Sequence, residues 1–378
     1  MCLDIPSQSL STFHIKDPKT GKSAHGISTI EEAITATHIN NEYFIKNRSG
    51  KCKFLNVLQG RNHTQSDDWY AEMKKYCDPN IYPENHFNGW AFGGQNKIDV
   101  HLMLRRLVGI IHDGLLQPGK HDLIHCLGVS ILEYAVLFTD IQKAIRKYHN
   151  PKLQITFDCA SPFLASANGQ IYIQTEIEDR SKWTYRMVPS VDDKKYATDK
   201  RKFSDAVLQD KVFKNFTDSP ISNRIGVKDV CWYKPGDLNK IGKEGKTSWD
   251  SFSYAIQMGH NVWSHINSVQ EANRQYDQGI VPKMLVQETF DRVYFKDVVD
   301  QIFAAPDRAS AEQIIEDHSK FWMSIIGTRG ATGKKTVNAS TQFAVLFDEV
   351  EEAVVQSEHD DGEFTEDEES KLDQLEDE

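Results

Sequence analysis

The chain has 378 residues, 39% of them hydrophobic and 26% charged, with a formal net charge of −11. That length allows two or three domains, and the apolar content suffices for a globular core. No apolar run approaches the roughly 18 residues of a membrane span, and the first residues carry neither a basic n-region nor an h-region, so the chain reads as soluble.

In chain order, Cys2–Pro6 reads as the end of a strand, and residues 28–45, with Ser28 as cap, as the helix that follows it. Phe54–Gly60, Gly89–Gly94, Leu123–Val129 and Leu153–Cys159 are short apolar runs that stop on a Gly or a polar side chain. Buried parallel strands read this way when their C-terminal ends open onto a site. From Gln59 to Gly93 to Leu127 to Asp158 the steps are 34, 34 and 31 residues, the length of a strand plus a crossover helix. Between them, Ile98, Leu102, Leu107, Ile111 and Leu115 share one helical stripe, as do Ile131, Tyr134, Ala135, Phe138, Ile141, Ile145 and Tyr148. Residues 67–77 make a weaker helix. The first 160 residues thus hold five strands and four helices of an α/β architecture, either an open doubly wound sheet or a closed (β/α)₈ TIM barrel. Periodicity alone does not choose between these.

After the last strand the pattern changes. Residues 174–245 read as a charged insertion or loop region, residues 246–355 as a mainly helical C-terminal region, and residues 356–378 as a disordered acidic tail. The tail holds 12 Asp/Glu and one Lys, so residues 1–355 are formally neutral and the acidity belongs to the tail. Basic residues are densest at Arg180, Lys182, Arg186, Lys194, Lys195, Lys200, Arg201 and Lys202, interleaved with Trp183 and Tyr185. Acidic residues are mixed among them, so a charged surface loop is at least as good a reading as a nucleic-acid contact.

Six cysteines, at positions 2, 52, 77, 126, 159 and 231, form no CxxC pair and read as reduced thiols of a cytoplasmic protein. Gly327–Thr336 is Gly-rich and basic but is no P-loop, because Thr328 and Lys335 stand where a Gly and a Ser or Thr are required. It reads as a loop.

Taken in order, the strand ends resemble those of the tRNA-guanine transglycosylases, the (β/α)₈ family that exchanges guanine in nucleic acid for a 7-deazaguanine. Phe157–Gln170 resembles the family's FDCVLPTRxxRNGQ run, Leu55–Gly60 its GIVQGG, Phe87–Gly94 its FDGYAIGG, Leu127–Val129 its MGVG, and Cys2–Ile5 its AFDEC. The likeness covers residues 1–173 well and residues 246–290 faintly. The family's RNA-contacting arginines are replaced by Ser161–Leu164 and Ala165–Ala167. Its zinc site needs three clustered cysteines and a His, for which only Cys231 and His265 are on offer, so no metal and no other cofactor is expected. These departures are similar to the phage and bacterial branch that inserts 7-deazaguanines into DNA.

The resemblance implies a glycosyltransferase in which Asp158 is the catalytic nucleophile, forming a covalent glycosyl ester that the incoming base displaces. It implies that Asp4 accepts from the guanine edge, that the Gln59 amide and the Gly94 backbone N–H donate to O6, and that Gly93, Leu127 and Gly128 line the base. Arg180, Lys182, Lys200 and Arg201 are the candidate nucleic-acid contacts. The implied partners are DNA, with tRNA as the alternative, and a free 7-deazaguanine base. A non-catalytic, nucleic-acid-binding partner subunit is the second reading, because the family's DSGG strand has no counterpart here. If the five strands are strands 4–8 of a barrel, three βα units of about 100 residues in all would have to come from elsewhere, as a second chain or an upstream reading frame.

Overall fold

The computed structural model describes residues 27, 29–167, 170–189, 196, 198–202, 219–222, 224, 226–230, 251–289 and 291–330. The Cys2–Pro6 strand, Asp4, Cys231 and the acidic tail lie outside these residues, as does most of the charged region between 190 and 250. The chain divides into two compact units, one of Met1–Ala160, Glu176–Thr184 and Asn267–Leu346, the other of Ser161–Thr175, Tyr185–Ile266 and Phe347–Glu378. In chain order the first passage from one unit to the other falls after Ala160.

The first unit begins with helix α1, Ile30–Asn47. Its cap is Thr29, not Ser28: the Glu32 N–H donates to Thr29 Oγ1 and the Thr29 N–H to Glu32 Oε2, both at 3.2 Å. Ser28 has Glu31 at the same spacing, so the sequence offers two capping boxes and the structure closes the one at Thr29. Strands and helices then alternate: β1 Asn56–Leu58, α2 His63–Met73, β2 Gly89–Phe92, α3 Val100–His112, β3 Leu123–Cys126, α4 Leu132–Tyr148 and β4 Gln154–Phe157. All four strands expected on the described residues are present. They pair in parallel in the order β1-β2-β3-β4, with Leu58 opposite Phe92, Phe92 opposite Cys126, and Cys126 opposite Phe157.

A sequential order wound through helical crossovers puts α2, α3 and α4 on one face, without the strand-order reversal of a doubly wound sheet. The winding is that of a barrel arc. Closure is not observed: among the described residues β1 and β4 are both edges, and four strands are half of an eight-stranded barrel.

Side chains of the strands alternate between two faces. The helix-facing set is held by polar pins as well as apolar contact. Asn56 Nδ2 donates to the Met73 carbonyl at 2.8 Å, Trp90 Nε1 to the Leu115 carbonyl at 3.0 Å, and Phe138 of α4 lies 5.6 Å from Phe157 of β4. Trp69 and Trp90 are fully buried, and each such side chain stabilises the fold by about 3 kcal/mol, provided its N–H finds a partner.

α4 is buried on nearly all sides, from Leu132 to Ile145. The reason is a second helical layer: Phe295–Ala304 packs on α4, and Arg308–Asp317 and Ser319–Gly330 pack on α3. Tyr148, the last residue of the expected apolar stripe, is 37% exposed and donates its hydroxyl to Asp300 at 2.8 Å, because it sits at the helix end beside that layer. Gly327–Gly330 belongs to the helix Ser319–Gly330, which corrects the expectation of a loop there.

In the second unit, α5 (Ser161–Ala167) leads into the strand pair β5, Gln170–Glu176, and β6, Thr184–Pro189. The charged region is thus structured at its start. Asn261, on the helix Ser251–Asp277, accepts the Tyr172 N–H at 3.0 Å and donates to the Gln170 carbonyl at 2.9 Å and Ser166 Oγ at 3.0 Å. His260 bridges Ser219 Oγ and the Tyr172 carbonyl, each at 2.8 Å. Among the described residues no helix is long and apolar enough to cross a membrane.

Candidate active site at the carboxyl edge of the sheet

One residue past the paired register, Gln59, Gly93, Leu127 and Asp158 continue the row across the four strands. The Gly93 N–H donates to the Leu58 carbonyl at 2.9 Å and the Leu127 N–H to the Phe92 carbonyl at 3.0 Å, so the ladder reaches this row before the chains turn away. At about 4.8 Å per strand the row spans roughly 14 Å along the sheet. It lies on the face turned away from α2, α3 and α4.

The two ends of the row differ. Gln59 is only 4% exposed, and a Cβ on Gly93 would stand 2.5 Å from the Gln59 amide nitrogen, so glycine here is what lets that side chain lie across β2. Gly94 has φ +53°, and a Cβ there would meet the Gly60 carbonyl at 2.5 Å. Asn96 fixes the same corner: its amide donates to the Gln59 carbonyl at 3.2 Å and its Oδ1 accepts from Ser66 Oγ at 2.7 Å. At the other end the Asp158 side chain is 59% exposed. Leu127 is half-buried and Gly128 exposed.

Asp158 is held by one oxygen. The Gly128 N–H donates to Oδ1 at 2.9 Å, and His125 Nε2 lies 3.2 Å from the same Oδ1. Its backbone carbonyl accepts the Val129 N–H at 2.7 Å, which fixes the strand end itself. Gly128 reaches this position with φ +65°, where a Cβ would also stand 3.1 Å from Lys97 Nζ. Among the described residues Oδ2 has no hydrogen-bond partner.

His125 was not among the candidates from sequence. It sits on β3 directly opposite Thr156 of β4, and its Nδ1 lies 2.8 Å from Thr156 Oγ1. Thr156 Oγ1 is also 3.4 Å from the Ile124 carbonyl. Thr156, His125 and Asp158 therefore form one hydrogen-bonded line on the inner face. The signal was present in the alternation of Leu123–Cys126, which puts His125 on the face of Leu127, but it became legible only once the register paired β3 with β4.

The line resembles a hydroxyl–imidazole–carboxylate triad, with the exposures reversed. In a hydrolytic triad the carboxylate is buried and orients the imidazole while the hydroxyl faces substrate. Here the carboxylate is the open member, and Thr156 lies within the strand, bonded to backbone. The chemistry available at the solvent side is that of a carboxylate nucleophile or base, with a proton-carrying ring beside it.

Two of the candidate nucleic-acid contacts have partners within the chain. Arg180 donates through Nε to the Val281 carbonyl at 2.6 Å and pairs with Glu288 at 3.9 Å, while Arg201 grips Asp199 through Nε and Nη2 at 2.6–3.1 Å. Both guanidinium groups are thus paired with carboxylates of the same chain. Lys182 and Arg180 belong to one compact unit, Lys200 and Arg201 to the other. Trp183 is fully buried, and its backbone N–H donates to Glu133 at 2.8 Å. Tyr185 is stacked between Tyr172 and His265, each ring 5.1 Å away. The two aromatic residues interleaved with the basic ones thus make contacts within the chain.

The described cysteines, Cys52, Cys77, Cys126 and Cys159, are free thiols, and burial pushes the Cys126 thiol up to about 12, which leaves it protonated. Among the described residues no cluster of three or more His, Cys, Asp or Glu could hold a metal ion. Comparison with protein-family models, with curated proteins and with solved structures finds no match.

Proposed function

We propose that the chain is a base-exchange glycosyltransferase that replaces guanine in DNA with a 7-deazaguanine. The observation that carries this reading is the presentation of Asp158: an open carboxylate at the C-terminal end of a parallel strand, with Oδ1 held by the Gly128 N–H and His125, and Oδ2 turned out without a partner among the described residues. Oδ2 attacks C1′ of the target nucleotide, the C1′–N bond to guanine breaks, and a glycosyl ester forms. The incoming base then attacks C1′ and releases the carboxylate, so the strand is never cut.

The nucleotide must leave the duplex to reach the strand end, at a cost of a few kcal/mol. Gln59, Gly93, Gly94 and Leu127 would border the flipped base, and Asp4 would read its edge. The exposed β4, whose Gln154 is open to solvent and whose remaining residues are half-buried, supports completion of the sheet by further strands from a second chain.

The test is incorporation of radiolabelled 7-deazaguanine into DNA and, in parallel, into tRNA, by the purified chain and by the chain co-expressed with candidate barrel-completing strands. Label in DNA that disappears with Asp158→Asn is the expected result. Label confined to tRNA would move the substrate class to RNA. Absence of label in both, with DNA still bound, would favour the non-catalytic subunit.

A further inference from the structure

We infer that His125 is the proton carrier of this exchange, giving a proton to the departing guanine and taking one from the incoming base; the inference rests on the reading of Asp158 as nucleophile. Loss of a purine from C1′ leaves an anion unless a proton arrives as the bond breaks, so the site needs an acid within reach of the departing base and the same group as base in the return step. Among the described residues, His125 is the group that contacts Asp158 through a side chain able both to give and to take a proton.

Its hydrogen bonds allow both charge states without moving the ring. As an imidazolium, Nε2–H faces Asp158 and Nδ1–H donates to Thr156 Oγ1, whose own proton turns to the Ile124 carbonyl. As a neutral ring it keeps Nδ1–H on Thr156 and only Nε2 is bare, so the proton is exchanged at Nε2 alone. The side chain is 17% exposed, beside the open Asp158.

The step balances as follows. Imidazolium and carboxylate begin as an ion pair. Asp158 Oδ2 bonds to C1′, the C1′–N bond electrons leave with the base, and the Nε2 proton goes to that base as neutral guanine. The ester is neutral, so the imidazolium loses its counter-charge when its proton is needed. In the second half the N–H proton of the 7-deazaguanine returns to Nε2, its nitrogen bonds to C1′, and the carboxylate and ion pair are restored.

The test compares two leaving groups in the same oligonucleotide, guanine and 7-methylguanine, which is already cationic and departs without protonation. With His125→Gln, exchange of guanine is expected to fall by about 10²–10⁴-fold and release of 7-methylguanine by less than about tenfold. Imidazole in the buffer should restore part of the guanine rate to His125→Ala, and both variants are compared at equal folded fraction by circular dichroism. An equal loss on both leaving groups, or none on either, overturns the proton role and leaves the Asp158 reading standing, provided a covalent DNA adduct still forms and is absent from Asp158→Asn. Failure of the wild-type chain, complete with its barrel strands, to form that adduct with either base overturns both.

Discussion

The two halves of the inner face of the sheet are built from the same kind of strand and end in the same row, yet one is closed and the other open. On β1 and β2, Val57 and Ala91 are 1% and 0% exposed and Gln59 is sealed at 4%; on β3 and β4, His125 is 17% exposed and Asp158 59%. In the closed half, glycines make room for backbone and for the Gln59 amide. In the open half, Gly128 turns an N–H outward to a carboxylate. A strand-end glycine therefore makes room for a neighbour at one end of the row and turns an N–H to a carboxylate at the other, and the neighbours decide which.

The largest expected effect breaks the comparison at the open end. Asp158→Asn should lower base exchange by at least about 10³-fold while changing the unfolding free energy by less than about 1 kcal/mol, since a mostly exposed side chain contributes little to packing. Exchange assays and urea denaturation on the same preparation check it; a large stability loss would make Asp158 a structural residue.

The matching change behind the closed half has the opposite signature. Trp90→Ala should cost about 3–5 kcal/mol, through lost burial and the orphaned Leu115 carbonyl. A smaller loss, read from the denaturation midpoint, would mean that the site collapses around the deletion.

The paired glycines sharpen the contrast. Gly93→Ala drives a Cβ into the Gln59 side chain and should destabilise by about 1–3 kcal/mol. Gly128→Ala meets only the end of Lys97 but forces a side chain into the left-handed region, at about 1–2 kcal/mol. It should also slow exchange, because the N–H that holds Asp158 shifts. If the two variants lose stability and activity in the same proportion, the two halves are not functionally distinct.

The smallest effect concerns pH and the frame behind the open half. Burial pushes the Asp140 carboxyl up to about 6 against the opposing hydrogen bond from Tyr276 at 2.6 Å. A raised carboxyl pKa means that the folded state holds the extra proton between about pH 4 and 6, so stability falls as pH rises through that window and stays lower above it. His121, pushed down to about 4 by burial, acts oppositely: stability present above its ordinary 6.5 is lost as pH falls towards 4. Asp140→Asn separates them. It should be more stable than the parent above pH 6 by about 1–3 kcal/mol, with the difference vanishing below pH 4, as melting temperatures across pH would show.

The four strands and their helices were legible because each rests on a local regularity: apolar runs that end on glycine or a polar residue, and stripes at helical spacing. So was the position of Asp158 at a strand end. The helix cap was missed by one residue, because Ser28 and Thr29 each carry a Glu three places on, and only the folded helix start decides which pair closes. The basic cluster was less legible for a different reason. Composition records how many cations a segment holds, but not that Arg201 turns to Asp199 two residues away or that Trp183 goes into the core.

The sequence by itself determined the strand and helix units and the residues that stand at the carboxyl ends of the strands, since period and turn chemistry are carried by neighbours along the chain. Only the tertiary structure decided the strand order, the second helical layer over α3 and α4, and the meeting of His125, Thr156 and Asp158. Those depend on register between strands about 30 residues apart, and a slip of one residue would send His125 to the helix face and Asp158 away from it.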